Sequence, residues 1–218
     1  YLNMVGGQDE LVFDGGSFVV NDLGEIIYQA SSFKEEVFHL DIDLKTNKQN
    51  DKSPLIIRPK TIELKDVESK ASLSKNESIY SALKLGLKDY VRKNKFTKVL
   101  IGISGGIDSA LTAAICVDAL GAENVIGVAM PSKYNSKDSL DDAIKLSDNL
   151  GIDLKTIEIE KLVDDFRETL TNSLNEDLGQ ITDENIQSRV RGNILMGLSN
   201  QTGAMVVSTG NKSEMAVG

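Results

Sequence analysis

The chain has 218 residues, 40% hydrophobic and 26% charged, an ordinary balance for one large or two small globular domains. A formal net charge of −9 argues against a sequence-independent nucleic-acid binder, which needs a basic surface. It leaves room for anionic small ligands held by backbone N–H groups, helix N-termini and a divalent cation.

No apolar run approaches the roughly 20 residues of a membrane helix, and the opening Tyr1-Leu2-Asn3-Met4 carries no basic leader pattern. The single cysteine, Cys116, can form no internal disulfide, so a reducing, cytoplasmic setting is expected. The chain starts without a methionine and stops directly after a polar motif, which suggests a piece of a longer protein.

Residues 1–43 read as β-rich. Ser17 to Val20 and Glu25 to Tyr28 flank Asn21-Asp22-Leu23-Gly24, the pattern of a hairpin. Glu36 to Ile42 alternates as a further strand would. Residues 44–73 turn polar, with Pro54 and Pro59, and read as a linker.

From Ser74 the pattern changes to alternating helices and strands. Ser74-Lys75-Asn76-Glu77 fits a capping box, and Ile79, Leu83, Leu87 and Tyr90 follow at helical spacing. Val99 to Ile103 is a buried strand. Ile107 to Leu120 is a helix with Ala110, Leu111, Ala114 and Ile115 on its inner side and Gly121 at its end. Val125 to Met130 is a second strand, Ser139 to Leu150 a helix, and Leu154 to Ile159 a third strand. Two helices, Glu160 to Leu174 and Thr182 to Asn200, precede a fourth strand at Ala204 to Ser208. Such alternation predicts an α/β fold with a doubly wound parallel sheet, whose ligands bind at the carboxyl ends of the strands.

Four polar motifs fall at or near such ends. Gly102-Ile103-Ser104-Gly105-Gly106-Ile107-Asp108-Ser109 joins the first strand of this region to its helix. Paired glycines let the backbone close on a phosphate, and the hydroxyls and open N–H groups of the helix start complete an anion cradle. Asp108 suits a bound Mg²⁺, because a bare carboxylate would repel a phosphate. The segment matches neither a Walker A loop nor G-x-G-x-x-G; its competing reading is a plain glycine turn with a Ser/Asp cap. Ser208 to Glu214 follows the fourth strand and offers hydroxyls, an amide, a cation and a carboxylate, or simply a polar surface turn. Asn185 and Arg189 are four apart on one helix face, where arginine can clamp an anion or merely face solvent. Met130 to Ser136 is a loop that could meet a base or ribose, or only connect two elements. His39, alone on a β segment, and Cys116, in the apolar part of a helix, read as structural.

Together these segments resemble one family. Ser-Gly-Gly-Ile-Asp-Ser at 104–109 is similar to the pyrophosphate loop of the N-type ATP pyrophosphatases, whose members include GMP and argininosuccinate synthetases. Ser208 to Glu214 and Met130 to Ala143 resemble the NAD synthetases in particular, over about residues 75 to 218. Asn3 to Ser17 resembles the later part of the nitrilase-like glutaminase domain fused ahead of the synthetase in the glutamine-dependent members.

The resemblance implies residues 1–43 as the end of a nitrilase-like α/β sandwich and 44–73 as a linker. It implies 74–218 as a synthetase domain of the adenine nucleotide alpha-hydrolase (Rossmann-like) type, truncated at its C-terminus. The glutaminase triad of Glu, Lys and Cys would precede the segment matched here, so glutamine hydrolysis is not assigned to these residues. The implied reaction is ATP-dependent amidation of deamido-NAD through an adenylate, releasing pyrophosphate and then AMP, with ammonia drawn from glutamine. ATP would lie on Gly102, Ile103, Ser104, Gly105, Gly106, Ile107, Asp108, Ser109 and Thr209, with a main-chain contact at Met130. Deamido-NAD would meet Asn185, Arg189 and Glu214, and Mg²⁺ would take Asp108 and Glu214. A dimeric synthetase core is also implied. The alternatives are a non-catalytic ATP-binding or assembly fragment, and a sister enzyme such as GMP synthetase.

Overall fold

Two hairpins supply the first regular structure in the computed structural model of the chain, which describes residues 1–21, 23–39, 44–45, 58–59, 73–132 and 137–217. Strand β1 (Val5–Gln8) pairs antiparallel with β2 (Leu11–Asp14), turning at Asp9 with φ 52°. This hairpin is absent from the sequence reading because Gly6 and Gly7 interrupt its alternation. Strand β3 (Phe18–Val20) pairs antiparallel with β4 (Ile26–Gln29), as expected. The Asn21 side chain makes that turn by accepting from the N–H groups of Leu23 at 3.0 Å and Glu25 at 2.9 Å. Asn3 ties the two hairpins together, with its N–H donating to Ser17 Oγ and its amide to Gly15 O, both at 2.9 Å. A short antiparallel pair, β5 (Leu44–Lys45) with β6 (Arg58–Pro59), lies where a linker is expected.

The strand expected over Glu36 to Ile42 is not seen at Glu36 to His39, and Leu40 to Ile42 lie outside the described residues. The alternation there serves side-chain contacts onto β4 instead of a backbone ladder. Phe38 packs on Tyr28 with ring centroids 4.2 Å apart, and the Tyr28 hydroxyl donates to Glu36 Oε1 at 2.5 Å.

That hydrogen bond, then burial and the Glu36 charge, push the Tyr28 phenol from 10.0 up to about 12. A folded-state value above the unfolded one means that folding favours the protonated form. The stabilisation is therefore complete below pH 10 and is lost as the pH rises through about 12. Melting curves should show Tyr28→Phe less stable than the parent by about 1 kcal/mol at pH 8. That deficit should shrink between pH 10 and 12.

Helix α1 (Lys75–Lys93) starts on the expected capping box. Ser74 N–H donates to Glu77 Oε2 at 2.9 Å and Glu77 N–H to Ser74 Oγ at 3.3 Å. Its apolar spacing does not mark a fully buried face: Ile79 and Leu83 are each 50% exposed, while Val91 is buried with Leu87 packed nearby. The chain divides into two compact units, Tyr1–Gly86 and Leu87–Gly218.

The second unit is an α/β sandwich. Strands β7 (Val99–Gly102), β8 (Val125–Ala129), β9 (Asp153–Thr156) and β10 (Met205–Val207) form one sheet, all neighbours parallel, in the order β10-β7-β8-β9. The helices are α2 (Ile107–Leu120), α3 (Lys137–Leu150), α4 (Glu160–Leu174), α5 (Gln180–Thr202) and α6 (Lys212–Val217). The two-residue period of the strands sorts the core into layers. Val99, Ile101 and Val125 share a cluster with Ala113 and Cys116 of α2 and Ala143 of α3. Leu100, Ile126 and Val128 face the other way, against Leu195 and Leu198 of α5.

Element ends move by up to three residues from expectation: α5 is longer at both ends, and β9 stops at Thr156 because Ile159 already leads into α4. The inner face of α2 is also corrected. Ser109, Ala113, Cys116 and Ala119 join Ile115 inside, while Leu111 is 52% exposed. A helix apolar on nearly every side gives no period to read, and the small residues let it lie close to the sheet. Helix α6 is absent from the sequence reading, which had only a polar motif there. Among the described residues, no helix is long and apolar enough to cross a membrane.

Candidate active site

The strand order β9-β8-β7-β10 reverses between β7 and β10, because the chain runs outward through β8 and β9 and then returns to the other side of β7. At such a switch point the loops leaving two adjacent parallel strands diverge and leave a crevice. The two loops here are Ile103 to Gly106 and Ser208 to Asn211, the first and second motifs of the sequence.

The first loop is shaped by its own hydroxyls. Ile103 N–H extends the ladder to Val128 O at 2.9 Å. Ser109, 3% exposed, donates through Oγ to Gly106 O at 2.9 Å and accepts from Ser104 N–H at 3.3 Å. Ser104 Oγ accepts from Gly106 N–H at 3.2 Å and lies 3.2 Å from Ser109 Oγ. Gly105 holds φ 81°, and a Cβ built there would sit 2.4 Å from Ser139 O at the start of α3. Gly106 is the N-cap of α2 and has no side chain to close over the first N–H groups. An anion placed there meets a helix N-terminus.

Asp108 is exposed in the first turn of α2, one residue before the buried Ser109. The second loop ends in a capping box around α6: Asn211 N–H donates to Glu214 Oε2 at 3.1 Å, and Glu214 N–H to Asn211 Oδ1 at 3.0 Å. The Glu214 carboxylate is exposed but already engaged through one oxygen.

A cavity of about 450 Å³ opens between these loops and two helices, within the range of small-ligand sites. Ser104, Ser139 and Thr209 are the hydroxyl-bearing residues that line it, and Met130, Leu140, Ala143 and Leu195 are among its apolar ones. Of the expected ATP residues, Gly102, Ile103, Ser104 and Thr209 line it, whereas Gly105, Gly106, Asp108 and Ser109 shape or flank the loop, and Ile107 is 79% exposed. Asn185 and Arg189 share an exposed face of α5, next to the buried Ile186 and Val190, and neither lines the cavity.

Arg191 does line it, two residues after Arg189 and not among the residues selected from sequence. Its Nε donates to Met130 O at 3.4 Å, and burial pushes the guanidinium below its ordinary value. The signal was its spacing: Arg191 and Leu195 are four apart, so they share a face of α5 different from that of Asn185 and Arg189. The second missed residue, Ser139, touches the first loop through its backbone, which no side-chain pattern announces.

A glycine-paired loop that opens a helix at the switch point of a parallel sheet, beside a half-apolar cavity, defines a nucleotide-binding α/β domain. Residues 79–218 match the family described as NAD synthase, and the chain belongs to that family. It is 46% identical to a glutamine-dependent NAD(+) synthetase of Thermotoga maritima, with the whole of this chain covered and 41% of the relative. A solved glutamine-dependent NAD+ synthetase from Acinetobacter baumannii, in complex with ADP, superposes with a TM-score of 0.85 at 43% identity. That match covers 100% of this chain and 38% of the other. An NH3-dependent NAD synthetase from Campylobacter jejuni matches at a TM-score of 0.59 and 31% identity, over 66% of this chain and 60% of its own. The chain thus spans about two fifths of the length of the glutamine-dependent relatives it matches.

Proposed function

We propose that this chain carries the ATP-activating centre of a glutamine-dependent NAD synthetase, and that residues 74–218 belong to its synthetase domain. Residues 1–43 would then be the end of a nitrilase-like glutaminase domain, with 44–73 between them. The observation that carries the reading is the pairing of β7 with β10, which puts the Ser-Gly-Gly loop and the Thr209 loop on either side of one crevice.

In this reading Gly102 to Ser109 and Thr209 hold ATP, with the open N–H groups of α2 toward the phosphates. The nicotinate carboxylate of deamido-NAD attacks the α-phosphorus, and pyrophosphate leaves with the bridging oxygen. Ammonia then attacks the acyl carbon, AMP departs, and the amide forms. Asn185, Arg189 and Glu214 orient deamido-NAD.

Asp108 and Glu214 supply hard oxygen donors. Magnesium commonly takes one or two carboxylates and completes its shell with water and phosphate. When bound, it would neutralise phosphate charge. The protein's own contribution is to position the reactants and to aim N–H dipoles at the leaving group. A homodimeric synthetase core in the cytoplasm completes the proposal.

The test is AMP and pyrophosphate release from ATP that requires deamido-NAD, with ammonium as nitrogen donor. Release driven by xanthylate or citrulline, and not by deamido-NAD, would sink the assignment.

A further inference from the structure

Strands β7 and β8 each carry a glycine, and packing forces one of them but not the other. A Cβ built at Gly127 would lie 2.7 Å from Ile103 Cδ1 and 3.2 Å from Leu154 Cδ1, so a side chain there has no room. A Cβ built at Gly102 would meet, among the described residues beyond its chain neighbours, Met130 Cε at 3.6 Å and Leu195 Cδ1 at 3.7 Å. Both are ordinary van der Waals distances. Gly102 also has no positive φ, so its backbone does not call for glycine either.

Glycine in a strand gives up packing and leaves the unfolded chain freer, which costs stability relative to alanine. Gly102 shares a face of the sheet with Leu100, two residues earlier. Leu100 is fully buried in a layer with Val128 and Ala204, against which Met130 and Leu195 pack. That layer is filled at Leu100 and open at Gly102, and Gly102, Met130 and Leu195 all line the cavity. We propose that Gly102 is a close-approach residue: it has no side chain for the sake of ATP, not of the fold, and the place a Cβ would take is reserved for the bound nucleotide. This rests on reading the cavity as an ATP site. Gly105 differs, because there the backbone angle and the Ser139 carbonyl make glycine a requirement of the loop itself.

A methyl group at position 102 adds contacts and stiffens the unfolded chain, yet takes space from the ligand. Stability and binding should therefore move in opposite directions. The experiment compares the protein with Gly102→Ala, Gly102→Val and Gly197→Ala by melting curves and calorimetric titration with ATP. Gly102→Ala should melt about 1–4 °C above the parent and bind ATP about 10-fold more weakly. Gly102→Val should bind ATP more weakly still. Gly197→Ala, where a Cβ meets nothing within 4 Å, should bind ATP as the parent does. The proposal is overturned if Gly102→Ala binds ATP within about twofold of the parent, or if it melts below the parent, since the glycine would then serve the fold. It is also overturned if folded Gly102→Val binds ATP better than Gly102→Ala, or if Gly197→Ala loses as much affinity. Should Gly102→Val fail to fold, Gly102→Ala decides the matter. A parent protein that binds no ATP sinks the ATP-site reading itself, and this inference with it.

Discussion

Gly105→Ala is expected to weaken ATP binding by about 100-fold or more, equivalent to roughly 2.7 kcal/mol. Two costs combine. The residue sits at φ 81°, where an L side chain is strained by about 1–2 kcal/mol. The added Cβ would also lie 2.4 Å from Ser139 O, and that neighbour is backbone, so it cannot swing aside as a side-chain tip would. The loop must move away from α3 and carry with it the Ser104, Gly106 and Ser109 hydrogen bonds that shape the anion cradle. Calorimetric titration with ATP measures the effect. Gly197→Ala is the control, because a Cβ there meets nothing within 4 Å and that helical glycine has no positive φ. Equal losses from both substitutions would defeat the argument.

Arg167→Ala should destabilise the protein by about 2–3 kcal/mol. Arg167 of α4 reaches Asp183 of α5 with two parallel hydrogen bonds, Nε to Oδ1 and Nη2 to Oδ2, the latter 2.9 Å long. Its Nη1 also donates to Asp164 Oδ1 at 2.6 Å and Glu160 Oε1 at 3.2 Å. The Asp183 hydrogen bond is the largest cause that raises the guanidinium above its ordinary value, with Asp164 and Glu160 adding to it. The side chain of Arg167 is only 19% exposed, and truncation removes the guanidinium from the half-buried carboxylates of Glu160 and Asp183, whereas Asp164 is exposed. Just beyond them Ile159 and Val163 pack on Ile186 and Val190, joining α4 to the half of α5 that bears Asn185, Arg189 and Arg191. If Asn185 and Arg189 hold deamido-NAD as proposed, a loss of affinity for it should accompany the fall in melting temperature. Arg167→Lys should recover part of the stability and less of the geometry, since an ammonium cannot make the paired contact. An Arg167→Ala protein that melts within a degree of the parent would refute this role.

The expected elements of the second unit were legible because each carries a local signal. Val99 to Gly102 and Val125 to Ala129 are short apolar runs bounded by glycine or proline, and in the first unit Ser74 with Glu77 likewise announces a helix start. The β1–β2 hairpin was not legible, since two glycines replace the side chains that would alternate. Glu36 to His39 misled for the opposite reason: its alternation is real but serves Tyr28, not a neighbouring strand. Ser109 shows the same limit at the site. Its residue type suits a phosphate ligand, and only the structure shows that its hydroxyl also closes the loop from a buried position.

By itself the sequence determined the αβ alternation, the Ser104-to-Ser109 loop between a strand and a helix, and the resemblance that led to the NAD synthase family. Those features are encoded in neighbouring residues, because hydrophobic period, capping and glycine placement act over a few positions. Only the tertiary structure decided that β10 returns to the side of β7 and so brings Thr209 to the crevice of a loop about a hundred residues earlier. It likewise decided that Arg191, not Arg189, lines the cavity. Both outcomes depend on which faces of distant elements bury each other, and that choice is made by packing across the whole sheet, where no short stretch of sequence carries the information.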